Sequence, residues 1–201
     1  MIHRSFLHFC LMLLFSSEIS CLDCRRLHVL QTKMNRKSLE HLEEMGGNFP
    51  FQCVHERTAF KPGDVLKIRL SRQENAKAAI QQILQELLQI FNNNLTQAAW
   101  NGTVIEQFQN GLHLQTEKLE TCLSAELETE RNYPGNENLL RTSLKLKRYF
   151  QTIHQFLNEK QYSRCAWEIV RREISRCFVF LNILTKRLEN EGTTHFFFLK
   201  N

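Results

Sequence analysis

Apolar residues recur at three- and four-residue intervals along most of the chain, the period of helices that bury one face. Leu27, Leu30, Met34, Leu42 and Met45 predict a first helix, ended by Gly46-Gly47. A connection then runs to about Leu70 and carries Pro50, Cys53, Pro62 and Gly63. Loops of that length are uncommon in compact domains unless they are functional or pinned, and Cys53 can pin this one. Ser71-Arg72-Gln73-Glu74 matches a capping box, in which the Ser hydroxyl and the Glu carboxylate each satisfy a free backbone N–H. Behind it, Ile80, Ile83, Leu84, Leu87, Leu88 and Phe91 predict a second helix, stopped by Asn92-Asn93-Asn94. Val104, Ile105, Phe108, Leu112, Leu119 and Leu123 predict a third, and Tyr133-Pro134-Gly135-Asn136 a turn. Leu139, Leu146, Phe150, Ile153 and Leu157 predict a fourth helix. Ala166, Val170, Ile174, Cys177, Leu181, Leu184 and Leu188 form the stripe of a fifth.

Proline and glycine are scarce, at three and seven in 201 residues, and no low-complexity stretch or repeat divides the chain. The expectation is an all-α fold: a bundle of five helices, up-up-down-down, with a long loop between the first two helices. A simple up-and-down bundle would not need that loop.

The first residues change the reading of the cysteines. His3 and Arg4, the apolar run Phe6 to Phe15 and polar Ser16 to Ser20 read as a signal peptide at 1–21, cut after Ser20 or Cys21. The apolar run is too short to span a bilayer. Residues 22–201 are then one secreted, extracellular domain in an oxidising environment. Of seven cysteines, Cys10 leaves with the leader and a cut after Cys21 removes that one as well. Cys24, Cys53, Cys122, Cys165 and Cys177 remain, enough for two bridges and one free thiol; four cysteines allow three pairings, and spacing does not choose among them. Asn94-Leu95-Thr96 and Asn101-Gly102-Thr103 are glycosylation sequons at Asn94 and Asn101.

Catalytic apparatus is missing. No metalloprotease, nucleophile-elbow, phosphate-loop or dinucleotide motif occurs, and His28, His41, His55, His113, His154 and His195 are scattered without metal-ligand spacing. The chain is therefore expected to be no enzyme and to use no cofactor or metal. A net charge of +5 suits an acidic protein surface or weak heparin binding and is no nucleic-acid signature by itself.

The fifth helix carries a second stripe: Arg172, Arg176, Val179 and Ile183, flanked by Arg171, Ser175 and Phe180. A merely solvated face would be polar throughout. Arginine beside apolar anchors is the composition of a binding hot spot. The alternative is that Val179 and Phe180 are buried because the helix is enclosed on two sides.

Cys165-Ala166-Trp167-Glu168 resembles the opening of the last helix of the type I interferons. Cys53-Val54-His55-Glu56-Arg57-Thr58-Ala59-Phe60, Ala98-Ala99-Trp100-Asn101, Leu119-Glu120-Thr121-Cys122-Leu123 and Arg148-Tyr149-Phe150 are similar to the same family. Leu22-Asp23-Cys24 and Glu173-Ile174-Ser175-Arg176-Cys177 resemble the kappa and epsilon branches, and the Trp100 segment the omega type. The resemblance implies a helical cytokine with disulfides Cys24–Cys122 and Cys53–Cys165, which leaves Cys177 as the odd thiol; its place on the apolar stripe favours a buried, inert cysteine over an intermolecular bridge.

By the same resemblance, the chain would be a monomer that bridges the two subunits of the interferon alpha/beta receptor and triggers antiviral and growth-inhibitory JAK-STAT signalling. The high-affinity subunit would meet Val54, Arg57, Arg171, Arg172, Ser175, Arg176, Val179 and Phe180, with the arginines facing outward. The low-affinity subunit would meet Leu88, Gln89, Val104, Gln109, His113 and Lys147. Gln109 and His113 stand where the alpha pattern has tyrosines, and Lys147 where it has arginine; lysine lacks the planar fork, so weaker binding is expected on this side. The alternative reading is a helical cytokine of another receptor class, or a homologue held by heparan sulfate through Lys145, Lys147, Arg148 and the last-helix arginines. Neither reading involves nucleic acid or membrane insertion.

Overall fold

The computed structural model describes residue 24 and residues 26–68, 74–129 and 137–198. The leader, Ser71 of the capping box and the Tyr133–Asn136 turn lie outside the described residues. Among those described there are helices and no strands. Five long helices stand where the periodicity places them: α1 (Leu27–Gly46), α3 (Glu74–Phe91), α4 (Gly102–Thr129), α5 (Glu137–Glu159) and α6 (Arg164–Phe198). A sixth, α2 (Val54–Ala59), is a short helix inside the long connection, between 3-10 turns at Phe51–Cys53 and Val65–Lys67. No described helix is long and apolar enough to cross a membrane.

Cross-helix pairs give the directions. Cys24 bonds Cys122, and Gln31 and Ser38 meet Gln115, so α1 and α4 are antiparallel. Asn35 meets Asn182 and Thr185, whereas Leu42 meets Arg171, which sets α6 antiparallel to α1. Gln85 reaches Glu120 and Phe91 stacks near Phe108, so α3 and α4 are antiparallel. The four long helices α1, α3, α4 and α6 thus run up, up, down, down. The fifth long helix, α5, lies against α3 and α6. Two consecutive left-handed residues, Gln161 (φ 50°) and Tyr162 (φ 55°), reverse the chain between α5 and α6.

The core is continuous through all five long helices. Every residue of the expected α6 stripe, from Ala166 to Leu188, is buried. Each Leu or Ile enclosed this way contributes about 1.5–3 kcal/mol. Trp167 is fully buried at the start of α6, among Phe91, Trp100 and Tyr162.

The buried face of α1 departs from the expected stripe. It reads Leu27, Gln31, Asn35, Ser38, His41, Leu42, Met45, while Leu30 and Met34 are only half-buried. The buried amides and Ser38 are satisfied by one another: Gln31 Nε2 donates to Gln115 Oε1 (2.6 Å), Gln115 Nε2 to Ser38 Oγ (3.2 Å) and Asn35 Nδ2 to Asn182 Oδ1 (3.0 Å). Such a network is tolerated in a core because each amide has a partner.

Both disulfides close long loops, Cys24–Cys122 over 98 residues and Cys53–Cys165 over 112. Restricting the unfolded chain over such loops stabilises the fold by about 4–5 kcal/mol each in the chain-entropy account.

Candidate functional site

The long connection lies along α6 and is fastened to it at several points. Cys53 is bonded to Cys165, with Cα atoms 5.1 Å apart. Twelve residues into α6, Arg176 Nη2 donates to Asp64 Oδ1 at 3.2 Å, and its Nη1 donates to Glu173 Oε2 at 3.3 Å. Lys160, just before α6, pairs with Glu56 at 3.7 Å. The Arg57 guanidinium sits 5.5 Å from the centre of the Phe49 ring, a cation–π contact that gives the exposed side chain a preferred place.

Between loop and helix lies a cleft of about 450 Å³ whose lining includes Arg57, Lys61, Asp64, Arg172, Glu173 and Arg176. Four cations and two carboxylates leave it a positive character. Apolar side chains stand exposed beside it: Val54 on α2, and Val179 and Ile183 farther along α6. Phe51, at the start of the loop's first turn, is 90% exposed. The acidic partner Asp64 was not legible as part of this site.

Two residues expected on this outer face point inward. Arg171 is 1% exposed. Its Nη1 donates to the Leu42 carbonyl (2.6 Å), and its Nη2 to the Gly47 carbonyl (2.9 Å) and to Glu168 Oε2 (2.7 Å). The end of α1 passes over this side of α6, and the guanidinium donates a second hydrogen bond to the Leu42 carbonyl in its last turn and holds the Gly47 carbonyl just beyond its end. Phe180 is 3% exposed, because α6 is enclosed on both flanks at that turn. Val179, its neighbour, is 47% exposed. Ser175 is half-buried and donates its hydroxyl to the Arg171 carbonyl at 3.2 Å. The outward set is therefore Val54, Arg57, Arg172, Arg176 and Val179, with Ser175 at its edge.

Tyr149 and Cys177 lie under this face. Tyr149 donates to Glu173 Oε1 at 2.6 Å, and its hydroxyl is 3.2 Å from Cys177 Sγ. Burial, then the neighbouring Cys177 and Glu173, push the Tyr149 phenol well above its ordinary range. Burial pushes the Cys177 thiol up to about 12, so it stays protonated.

The second expected surface lies on α3, α4 and α5. Gln89, His113 and Lys147 are exposed and Val104 is half-buried. Leu88 is only 9% exposed, a correction to its place as a contact: it faces the core from α3. Gln109 donates to the Phe91 carbonyl at 2.9 Å and so closes the end of α3 as well as edging this surface. Burial raises the Glu86 carboxyl, with Lys147 opposing that shift. Burial lowers His154 on α5. No cluster of three metal-binding side chains occurs among the described residues.

Both sequons lie at the α3–α4 connection. Asn101 is exposed and its Oδ1 accepts the Thr103 and Val104 N–H groups at the start of α4. Asn94 is exposed, and its carbonyl accepts the Trp167 indole N–H at 3.1 Å.

A family model described as Interferon alpha/beta domain matches residues 27–188. The chain belongs to the type I interferon family. Interferon beta of Tachyglossus aculeatus aculeatus is 36% identical to it over 191 residues, which is 94% of this chain and all of that one. Interferon epsilon of Homo sapiens is 33% identical over 193 residues, 96% of this chain and 91% of its own length. Among solved structures, zebrafish interferon 1 superposes with a TM-score of 0.58 at 22% identity over 84% of this chain and 99% of its own, a likeness of fold. As an interferon the chain is a cytokine and not an enzyme.

Proposed function

We propose that the chain is a secreted cytokine that brings together the two subunits of the interferon alpha/beta receptor and so activates JAK-STAT antiviral and growth-inhibitory signalling. The ligand performs no chemistry; its work is to hold two surfaces in a fixed relation. One observation carries the reading: a disulfide and an ion pair fix the loop to α6, so that Arg57, Arg172 and Arg176 line one cleft with Val54 and Val179 beside it. Preorganised arginines and exposed apolar anchors are what a high-affinity contact needs, because little side-chain and loop freedom is left to lose on binding. Gln89, Val104, Gln109, His113 and Lys147 form the second, weaker surface. Asn94 and Asn101 carry glycans in this reading, on amides that leave their oxygens to the local turns.

An interferon-response reporter in cells with and without the receptor tests it. Induction that requires both subunits supports the reading. Induction that persists without the receptor, or vanishes when heparan sulfate is removed from receptor-bearing cells, contradicts it.

A further inference from the structure

We propose that Arg171 is a positioning residue for the high-affinity contact: it fixes how the long loop leaves α1, and hence where Arg57 stands, without itself meeting the receptor. The proposal rests on the reading above that Arg57 and Arg176 form that contact.

The buried guanidinium joins three elements. From α6 it reaches the carbonyls of Leu42 and Gly47 at the end of α1. Its partner Glu168 is held by two hydrogen bonds from Arg171, at 3.1 Å from Nε and 2.7 Å from Nη2. The same carboxylate accepts the Trp100 indole N–H at 2.6 Å, which anchors the pair to the α3–α4 connection. The joint is closed: each carboxylate oxygen has a donor, and the guanidinium is fully enclosed.

Its place in the chain gives it leverage. Gly47 is where the backbone turns away from α1, at φ 60° and ψ −140°, and Arg171 holds its carbonyl. Two residues later the Phe49 ring supports the Arg57 guanidinium. The other fastenings, Cys53–Cys165 and Arg176–Asp64, act farther along, so the stretch from Gly47 to Gln52 has Arg171 as its upstream anchor. Gly46 is part of the same device: a Cβ there would stand 2.7 Å from Arg171 Cζ and 2.8 Å from Glu168 Oε1. Without the guanidinium, Glu168 would be a buried carboxylate short of its cation, the Gly47 carbonyl would lose its donor, and the Leu42 carbonyl would keep only its helical one. Movement of the loop's first residues is the cheapest relief.

A double-mutant cycle with the immobilised ectodomain of the high-affinity receptor subunit decides it. The variants are Arg57→Ala, Arg171→Gln, Arg171→Lys, Gly46→Ala and the pairings of Arg57→Ala with each, with folded concentration fixed by helical circular dichroism. Arg57→Ala is expected to weaken binding by about tenfold in the wild-type background. Arg171→Gln is expected to weaken it by a similar factor, and Arg57→Ala to add less than about twofold on top, because the two substitutions remove the same placement. Arg171→Lys, which keeps a donor, recovers part of the loss. Gly46→Ala displaces the guanidinium while keeping it, and gives the same non-additivity even where Arg171→Gln does not fold. Folded Arg171 and Gly46 variants that bind like wild type, or an Arg57→Ala cost unchanged in their backgrounds, would overturn the positioning role. Loss of any Arg57→Ala effect in the wild-type background would instead overturn the contact reading beneath it.

Discussion

Gly46 lies directly beneath the Arg171 guanidinium, and the two residues, far apart in sequence, exclude any side chain between the end of α1 and α6. Helical glycine normally costs about 1 kcal/mol relative to alanine. Here the contact reverses the sign: a methyl group would have to push a buried, hydrogen-bonded arginine or its carboxylate partner aside. Gly46→Ala is expected to destabilise the fold by about 1–3 kcal/mol, the usual cost of overpacking. Chemical denaturation checks this; a stabilised variant would show that the guanidinium moves freely.

The buried amides between α1, α4 and α6 give a second stability test. Gln115→Ala removes the α4 partner of Gln31 and Ser38, leaving Gln31 only its bond to Asn35 and Ser38 Oγ without its donor. A loss of about 1–3 kcal/mol is expected, the cost of unsatisfied buried polar groups added to a small cavity. Denaturation at constant m-value measures it.

Cys177 bears on both redox state and assembly. Its thiol is fully buried, sits beside the Tyr149 hydroxyl and is raised to about 12, so thiolate is scarce at neutral pH. Native protein is expected to resist alkylation at Cys177 and to label there once unfolded. Mass spectrometry under non-reducing conditions should give a single chain with two bridges and one free thiol; a covalent dimer through Cys177 contradicts this.

His154 makes stability depend on pH. Burial lowers its pKa from 6.5, so the native state binds fewer protons there than the unfolded chain does at mildly acidic pH. Stability from this site is therefore complete above the unfolded value and declines as pH falls through it towards the lowered native value. Between about pH 7.5 and pH 5.5 the wild type is expected to lose more thermal stability than His154→Gln. Equal losses would show that the imidazole is not desolvated.

Much of this arrangement was legible in the chain, and the exceptions share a cause. The α6 stripe from Ala166 to Leu188 is buried throughout because an apolar stripe at helical spacing has one stable solution, to face the core. The expected outward face of the same helix was read correctly at Arg172, Arg176 and Val179 but not at Arg171 or Phe180. Spacing fixes a residue's angle around its own helix. It does not reveal that the carbonyls of Leu42 and Gly47, from a distant part of the chain, lie over that angle and accept from the guanidinium. The polar face of α1 was missed for the matching reason. Gln31, Asn35 and Ser38 keep the helical period of Leu27 and Leu42, but their burial depends on amide partners supplied by α4 and α6.

The central claim, that the fastened loop and α6 present one high-affinity receptor contact, is tested most directly by the affinity of Arg57→Ala and Arg176→Ala for that receptor subunit. Each is expected to lose about 1–3 kcal/mol of binding with the fold intact, Arg176 because it also holds Asp64 in the loop. Unchanged affinity in both folded variants would contradict the account.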